Sequence, residues 1–482
     1  MNSPTPLPDV PPYATLRGLP FAAGLCSLAE AASPGLSVED NVSRLKRYHY
    51  SLKRLHSILV GRLVAEPIYE LKMMFSLHAY YCAEHVTTLR KRVGEMREPP
   101  LGLDAVPDAA LEGFFDEIRA APTAELLVVG LYEVALPALE EAIRRHRQST
   151  NIVADHETTR FCKFALLEIG EMLAGGRAAA AALLGTGARR EADAWAALLK
   201  GWLAAAGGLD GSAARSGAAG VRLYSGRPFR YDFQPQRDKR FPDPYNRGVN
   251  AEAFLHDPQM PDDAKMLMLF YKRLREIDVP EWMASMICET PEKPWGYHRD
   301  LTRQLWDEAR HAILGEIGFA ALGLDWPRLV MINATTSIVV NRDLTPLERH
   351  GMLFVIEQGL MAKTGKRYEW EVGIASQNAL AALFQDYDWA DEVLHARIGR
   401  DWFVSQFKDT AAATEFGERA KAKVSESYGT FQRDGLTRHR NWWPDLYQAY
   451  CSARGLTPDP VALGYATPYD ESRSDPLEVG AE

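Results

Sequence analysis

Trp-Asp-Glu-Ala-Arg-His-Ala-Ile-Leu-Gly at 306–315 and Ala-Asp-Glu-Val-Leu-His-Ala-Arg-Ile-Gly at 390–399 are two copies of one pattern, D-E-x-x-H-A-x-x-G. On an α-helix, residues three apart share a face, so Glu308 with His311, and Glu392 with His395, each present an oxygen and a nitrogen donor in one direction. That is half of a dimetal site in a four-helix bundle. Such a site takes a Glu-x-x-His pair from each of two helices and a further Glu from each of the other two. One Glu-x-x-His alone is more often an ion pair on a helix surface. Its recurrence with the same flanking Asp, Ala and Gly argues for the metal-ligand reading.

The flanking sequence reads as helices. Apolar residues recur at three- and four-residue spacing over roughly 263–290, 295–323, 345–364 and 386–409, with a further short helix near 371–384. The repeats occupy the second and fourth of these, so the first and third each owe a carboxylate. Glu357, the acidic residue of Phe-Val-Ile-Glu-Gln-Gly-Leu-Met, is the candidate in the third, because a buried carboxylate needs a partner or a metal. In the first, Glu276 and Glu281 both qualify. Glu281 is favoured because it precedes an apolar run and sits at a distance from the turn similar to that of Glu308. Asp307 and Asp391, one residue before each ligand Glu, are placed to accept a hydrogen bond from the outer N–H of a ligand histidine. Thr345, Pro346 and Glu348 have the spacing of a capped helix start.

Upstream, residues 1–37 read as an irregular arm, and 38–206 as an N-terminal helical bundle with a break near Pro67. Its candidate donors, Glu66, Glu70, His78, Glu84, His85, Glu133, His156, Glu157 and Glu168, never fall at Glu-x-x-His spacing, so this bundle is expected to be metal-free. A Gly-, Ala- and Ser-rich stretch begins after 206, and 207–262 reads as linker and irregular connection. Residues 263–410 form the expected dimetal domain, and 411–482 a C-terminal helix and arm. The β-branched run within Arg328–Val340 fits either a short strand or a buried helix. The fold class is therefore all-α, with two helical bundles, the C-terminal one a four-helix bundle.

Composition narrows the function. The chain has 482 residues, 46% hydrophobic and 25% charged, with a net charge of −9, which gives no basic footprint for nucleic acid. Arg144, Arg145, His146 and Arg147 form a local basic cluster, read as a solvated helix end rather than a phosphate-binding patch. Five scattered cysteines without C-x-x-C spacing fit neither a disulfide framework nor a thiolate zinc site. No leader and no membrane-length apolar run is present, so a cytoplasmic location is expected. Nucleotide-binding glycine motifs and the G-x-S-x-G elbow are absent. Trp306, Tyr271, Trp282, Tyr387 and Trp389 lie near the proposed ligands and read as core packing rather than redox relays.

Several of these segments together resemble an uncharacterised bacterial ferritin-like family distantly related to the diiron tRNA hydroxylases. They are Arg-Glu-Ile-Asp-Val-Pro-Glu at 275–281, Lys-Pro-Trp-Gly-Tyr-His-Arg-Asp-Leu at 293–301, Glu-Gln-Gly-Leu at 357–360, and the two D-E-x-x-H segments, the second continuing to Trp402-Phe403. The resemblance covers about 263–410. It implies a ferritin-like fold and a centre of two iron ions, or manganese and iron, held by Glu281, Glu308, His311, Glu357, Glu392 and His395. The four glutamates are also the expected catalytic set. The expected activity is O2-dependent oxidation of a small organic substrate by hydroxylation, desaturation or oxidative cleavage. Dioxygen and that substrate are the expected partners, with a reductase and a second copy of the chain as further candidates. Ferroxidase or iron-handling activity, and tRNA hydroxylation, are the alternatives.

Overall fold

The computed structural model describes residues 12–96, 102–217, 220–437 and 439–468. Every regular element among them is helical, and none of the helices is long and apolar enough to cross a membrane. The outer parts of the expected arms, residues 1–11 and 469–482, lie outside the described residues.

The chain divides into two compact units, one of residues 1–59 and 78–230, the other of 60–77 and 231–482. The division falls after Arg230 rather than near 206, and residues 60–77 group with the second unit. In the first unit lie most of α1 (Val38–Leu63) and α2 (Tyr69–Glu95), then α3 (Ala109–Arg119), α4 (Leu136–Ser149), α5 (His156–Leu183) and α6 (Thr186–Ala205). Pro67 falls in the break between α1 and α2, where its missing N–H ends the helical ladder. Just before α4 the backbone widens into a π-helical turn over Val129–Ala135, a distortion that periodicity does not reveal. Helix α3 packs on α6, and α4 on α5.

The second unit holds α7 (Asp262–Arg275), α8 (Asp278–Cys288), α9 (Trp295–Ala321), α10 (Thr335–Asp343), α11 (Pro346–Leu360), α12 (Lys366–Ala375), α13 (Ala379–Trp402), α14 (Thr410–Arg433) and α15 (Trp443–Arg454). The β-branched run at 328–340 resolves into an extended link and helix α10. Helix α11 begins as its sequence indicates: the Thr345 side chain accepts from the Glu348 N–H, Glu348 reaches back to Thr345, and Pro346 leads the helix. Helix α13 starts earlier than its periodicity suggests, because Asn378 caps it by accepting from the N–H groups of Leu380 and Ala381. The segment 224–262 is mostly irregular, as expected, apart from a short helix at Ala251–His256.

Helix α7 packs against α9, α9 against α13, and α13 against α11. The glycines of the repeats sit at two of these crossings. A Cβ on Gly315 would stand 2.2 Å from the Leu274 backbone nitrogen and 2.5 Å from the Phe270 carbonyl oxygen of α7. One on Gly399 would stand 2.9 Å from the Phe354 ring of α11. The repeat alanines, Ala312 and Ala396, are likewise buried. The Ala and Gly common to the repeats are thus packing positions that bring the donor-bearing helices together.

Candidate metal centre

Helix α9 carries Glu308 and His311 one turn apart, and α13 carries Asp388, Glu392 and His395 on one face. Their side chains, with Glu357 of α11 and Glu276 at the end of α7, form two groups. Glu308, Glu357, Glu392 and His395 present donor atoms that all lie within 4.8 Å of one another, as do Glu276, His311 and Asp388. Either group could hold a metal ion.

Both histidines face inward through Nδ1. Nδ1 of His395 is 3.1 Å from Glu392 and 3.3 Å from Glu308. Nδ1 of His311 is 3.4 Å from Glu276, 3.4 Å from Asp388 and 3.6 Å from Glu308. The outer nitrogens meet the aspartates crosswise. Nε2 of His311 is 3.1 Å from Asp391, and Nε2 of His395 is 3.4 Å from Asp307. An Nε2–H donated to each aspartate leaves the Nδ1 lone pair free for a metal. Arg310 ties the two aspartates together at 2.8 Å from Asp307 and 2.6 Å from Asp391, and Arg303 adds a bond to Asp307 at 2.8 Å. Gln304, one turn before Glu308, donates to Glu357 Oε1 at 3.0 Å.

Electrostatics mark the site as short of positive charge near Glu357. Burial, then the Glu392 and Glu308 carboxylates, push the Glu357 carboxyl well above the usual range. Burial also pushes Glu392 upward, but Lys366, Glu357 and His395 outweigh it and hold that carboxyl well below. Burial alone would depress the two histidines. Asp388 and Asp391 raise His311 well above its ordinary value, and Glu392 and Asp307 do the same for His395. Protons gathered in this way are what a bound cation replaces.

The donor set fits a metal on a second ground. Glu357 Oε2 is buried without a hydrogen-bond partner, and Glu276 Oε2 and His311 Nδ1, also buried, face each other at 3.4 Å without forming a well-aligned hydrogen bond. Orphaned buried donors of this kind are rare and costly. Carboxylate oxygens with imidazole nitrogens and no thiolate suit iron, manganese or zinc.

Glu281 lies elsewhere. Its carboxylate is fully buried against Lys72 at 2.6 Å, Arg237 at 2.9 Å and the Ser337 hydroxyl at 2.8 Å, and it contributes to neither donor group. The reason is the break between α7 and α8 around Glu276 and Ile277. The helix ends at Arg275, with Glu276 as its cap, and restarts at Asp278, so a register counted along one continuous helix from the turn does not hold. Glu276, the alternative, stands with His311 and Asp388 in the second donor group. Asp388 was not anticipated. It stands four residues before Glu392, as Gln304 does before Glu308, and that parallel is the signal that could have found it.

Of the donors named in the first unit, His78, His85, Glu133 and Glu168 have other partners. His78 Nδ1 lies 2.7 Å from the Tyr132 hydroxyl, His85 pairs with Glu168 at 2.8 Å, and Glu133 with Arg189 at 2.8 Å. The basic run 144–147 is not a single patch: Arg144 pairs with Glu140 and Glu141, Arg145 with Asp210, and His146 is buried. Of the aromatics near the ligands, Tyr271 and Trp282 are core residues and Tyr387 is exposed. Compared with family models, with curated proteins and with solved structures, the chain matches none.

Proposed function

We propose that the second unit is a ferritin-like dimetal-carboxylate bundle, and that the protein is a non-haem diiron, or manganese and iron, oxidase or oxygenase acting on a small organic substrate. The observation that carries this reading is the convergence of Glu276, Glu308, His311, Glu357, Glu392 and His395 into two adjoining donor groups whose buried Glu276 Oε2, His311 Nδ1 and Glu357 Oε2 atoms make no well-aligned hydrogen bond. Two such ions, when bound, supply the electrons and open positions for binding and reducing dioxygen.

The residues of the chain do the rest. Asp391 and Asp307 keep the proton on Nε2 of His311 and His395 and fix the planes of both rings. Arg310 and Arg303 hold the aspartates in place. Gln304 orients one Glu357 oxygen and leaves the other facing the donor group. Buried Leu305, Ala309, Ala312, Phe354 and Ala396 on the donor-bearing helices exclude water. The reaction class is hydroxylation, desaturation or oxidative cleavage, with electrons from a reductase or from the substrate.

The test is anaerobic loading with ferrous iron, or manganese and iron, followed by rapid mixing with dioxygen. The reading expects oxygen consumption with a transient absorbance change, slowed steeply in Glu357→Ala. A loaded protein inert to oxygen with each metal combination would refute it.

A further inference from the structure

The two donor groups differ in the positive charge that already faces them. Around Glu308, Glu357, Glu392 and His395, three carboxylates meet one imidazole, and the nearest ammonium, Lys366 Nζ, reaches only the Glu392 edge at 2.9 Å. Around Glu276, His311 and Asp388 the same Lys366 Nζ lies 2.8 and 2.9 Å from the two Asp388 oxygens and 3.8 Å from Glu276. Arg273 pairs there as well, with Asp388 and, at 3.0 Å, with Glu276. Both cations are buried, Lys366 at 1% and Arg273 at 0% side-chain exposure.

These cations are built into the fold. Lys366 is the first residue of α12, which packs on both α7 and α13. The preceding Gly365 is pressed so closely on the end of α11 that a Cβ there would lie 2.2 Å from the Leu360 carbonyl oxygen. One turn along α12, Glu369 accepts from Arg273 at 3.2 Å and pairs with Lys272. Lys366 and Arg273 are therefore held against Asp388 from two helices.

We infer that Lys366, with Arg273, makes the two metal positions unequal. The position of Glu308, Glu357, Glu392 and His395 takes up a divalent ion first and tightly. The position of Glu276, His311 and Asp388 takes a second ion weakly, because that ion must draw the Lys366 ammonium off the Asp388 oxygens. Like charges a few ångströms apart in a buried site repel strongly, and the second ion meets two of them. The inference rests on the dimetal reading above, but not on its oxygen chemistry.

The test is an anaerobic equilibrium titration of the full chain with Mn2+ alone, with free Mn2+ followed by its electron paramagnetic resonance signal. Two classes of site are expected, separated by about 100-fold or more in affinity. Lys366→Met should narrow the gap by strengthening the weaker class more than the tighter one. Independently of how that variant folds, His311→Ala should abolish the weak class and keep the tight one, whereas His395→Ala should impair the tight one. Two classes of equal affinity in the unaltered protein would overturn the inference, as would loss of the tight class in His311→Ala or an unchanged gap in folded Lys366→Met. Binding of no ion at all would overturn the dimetal reading and the inference with it. Unequal binding by a protein inert to oxygen would refute the oxidase reading and leave the inference standing.

Discussion

Asp391 of one repeat stands 3.1 Å from Nε2 of His311 of the other. The converse pair, Asp307 and His395, is 3.4 Å apart, so each helix supplies the carboxylate that orients the other helix's histidine. Partners of this kind raise the basicity of the ligand ring and fix its tautomer. Asp391→Asn should therefore weaken metal binding by about 10- to 100-fold while the helical content stays unchanged. Competition with a chelator of known affinity measures this, and an unaltered affinity would count against the arrangement.

Glu276 and Glu281, five residues apart, are expected to fail in opposite ways. Glu276→Gln should lose or weaken one metal ion and change stability little. Glu281→Ala should leave metal stoichiometry intact but strand the buried cations Lys72 and Arg237 without their shared carboxylate, costing about 3–5 kcal/mol. Metal analysis and chemical denaturation of the two variants separate these outcomes. The reverse pattern would return Glu281 to the ligand set.

Much of this was written in local sequence, and the division between what was legible and what was not has physical reasons. Glu308 with His311, Glu392 with His395, and the Thr345–Glu348 cap depend on spacings of three residues along one helix, which any chain displays openly. Glu357 was legible because a lone carboxylate in an apolar run must have a reason. The choice between Glu276 and Glu281 depended on whether α7 and α8 are one helix; Pro280, which can neither bond to nor tolerate the Glu276 carbonyl four residues back, is the local signal of the joint at 276–277, and a register counted through it misses the break. Lys366, Arg273 and Asp388 come together from three helices, so their mutual charge compensation has no signature in sequence. The irregular stretch 224–262 concealed a further contribution, since it delivers Arg237 to Asp278 and Glu281.

The repeat glycines should resist enlargement. Ordinarily, replacing a helical glycine by alanine stabilises by about 0.5–1 kcal/mol. That gain is expected for Gly170, within α5, where a Cβ would meet nothing within 4 Å. Gly315→Ala should instead destabilise by about 1–3 kcal/mol, because the added carbon collides with the α7 backbone. Denaturant titrations of the two variants should shift in opposite directions.

The first unit should be sensitive to acid. Burial, then the Arg44 charge, lowers the His146 pKa to about 4, and burial lowers that of His78 to about 3. Unfolded histidine titrates near 6.5, so the unfolded chain binds more protons below that pH, and stability present above pH 6.5 is lost as the pH falls toward 4. Each such histidine can account for up to about 3 kcal/mol. His146 makes no hydrogen bond through either ring nitrogen, so His146→Met should remove its share without leaving a partner stranded. Stability measured between pH 7 and 4 should fall less steeply in that variant; an unchanged slope would show that His146 is not held neutral in the folded state.

The most direct test of the metal centre is the metal content per chain, by elemental analysis after anaerobic loading with excess ferrous iron and brief removal of free ions. Two ions per chain are predicted in the unaltered protein, with at least one lost in both His311→Ala and His395→Ala while each variant keeps its helical circular dichroism. Absence of bound metal in the unaltered chain, or full occupancy in both variants, would contradict the account.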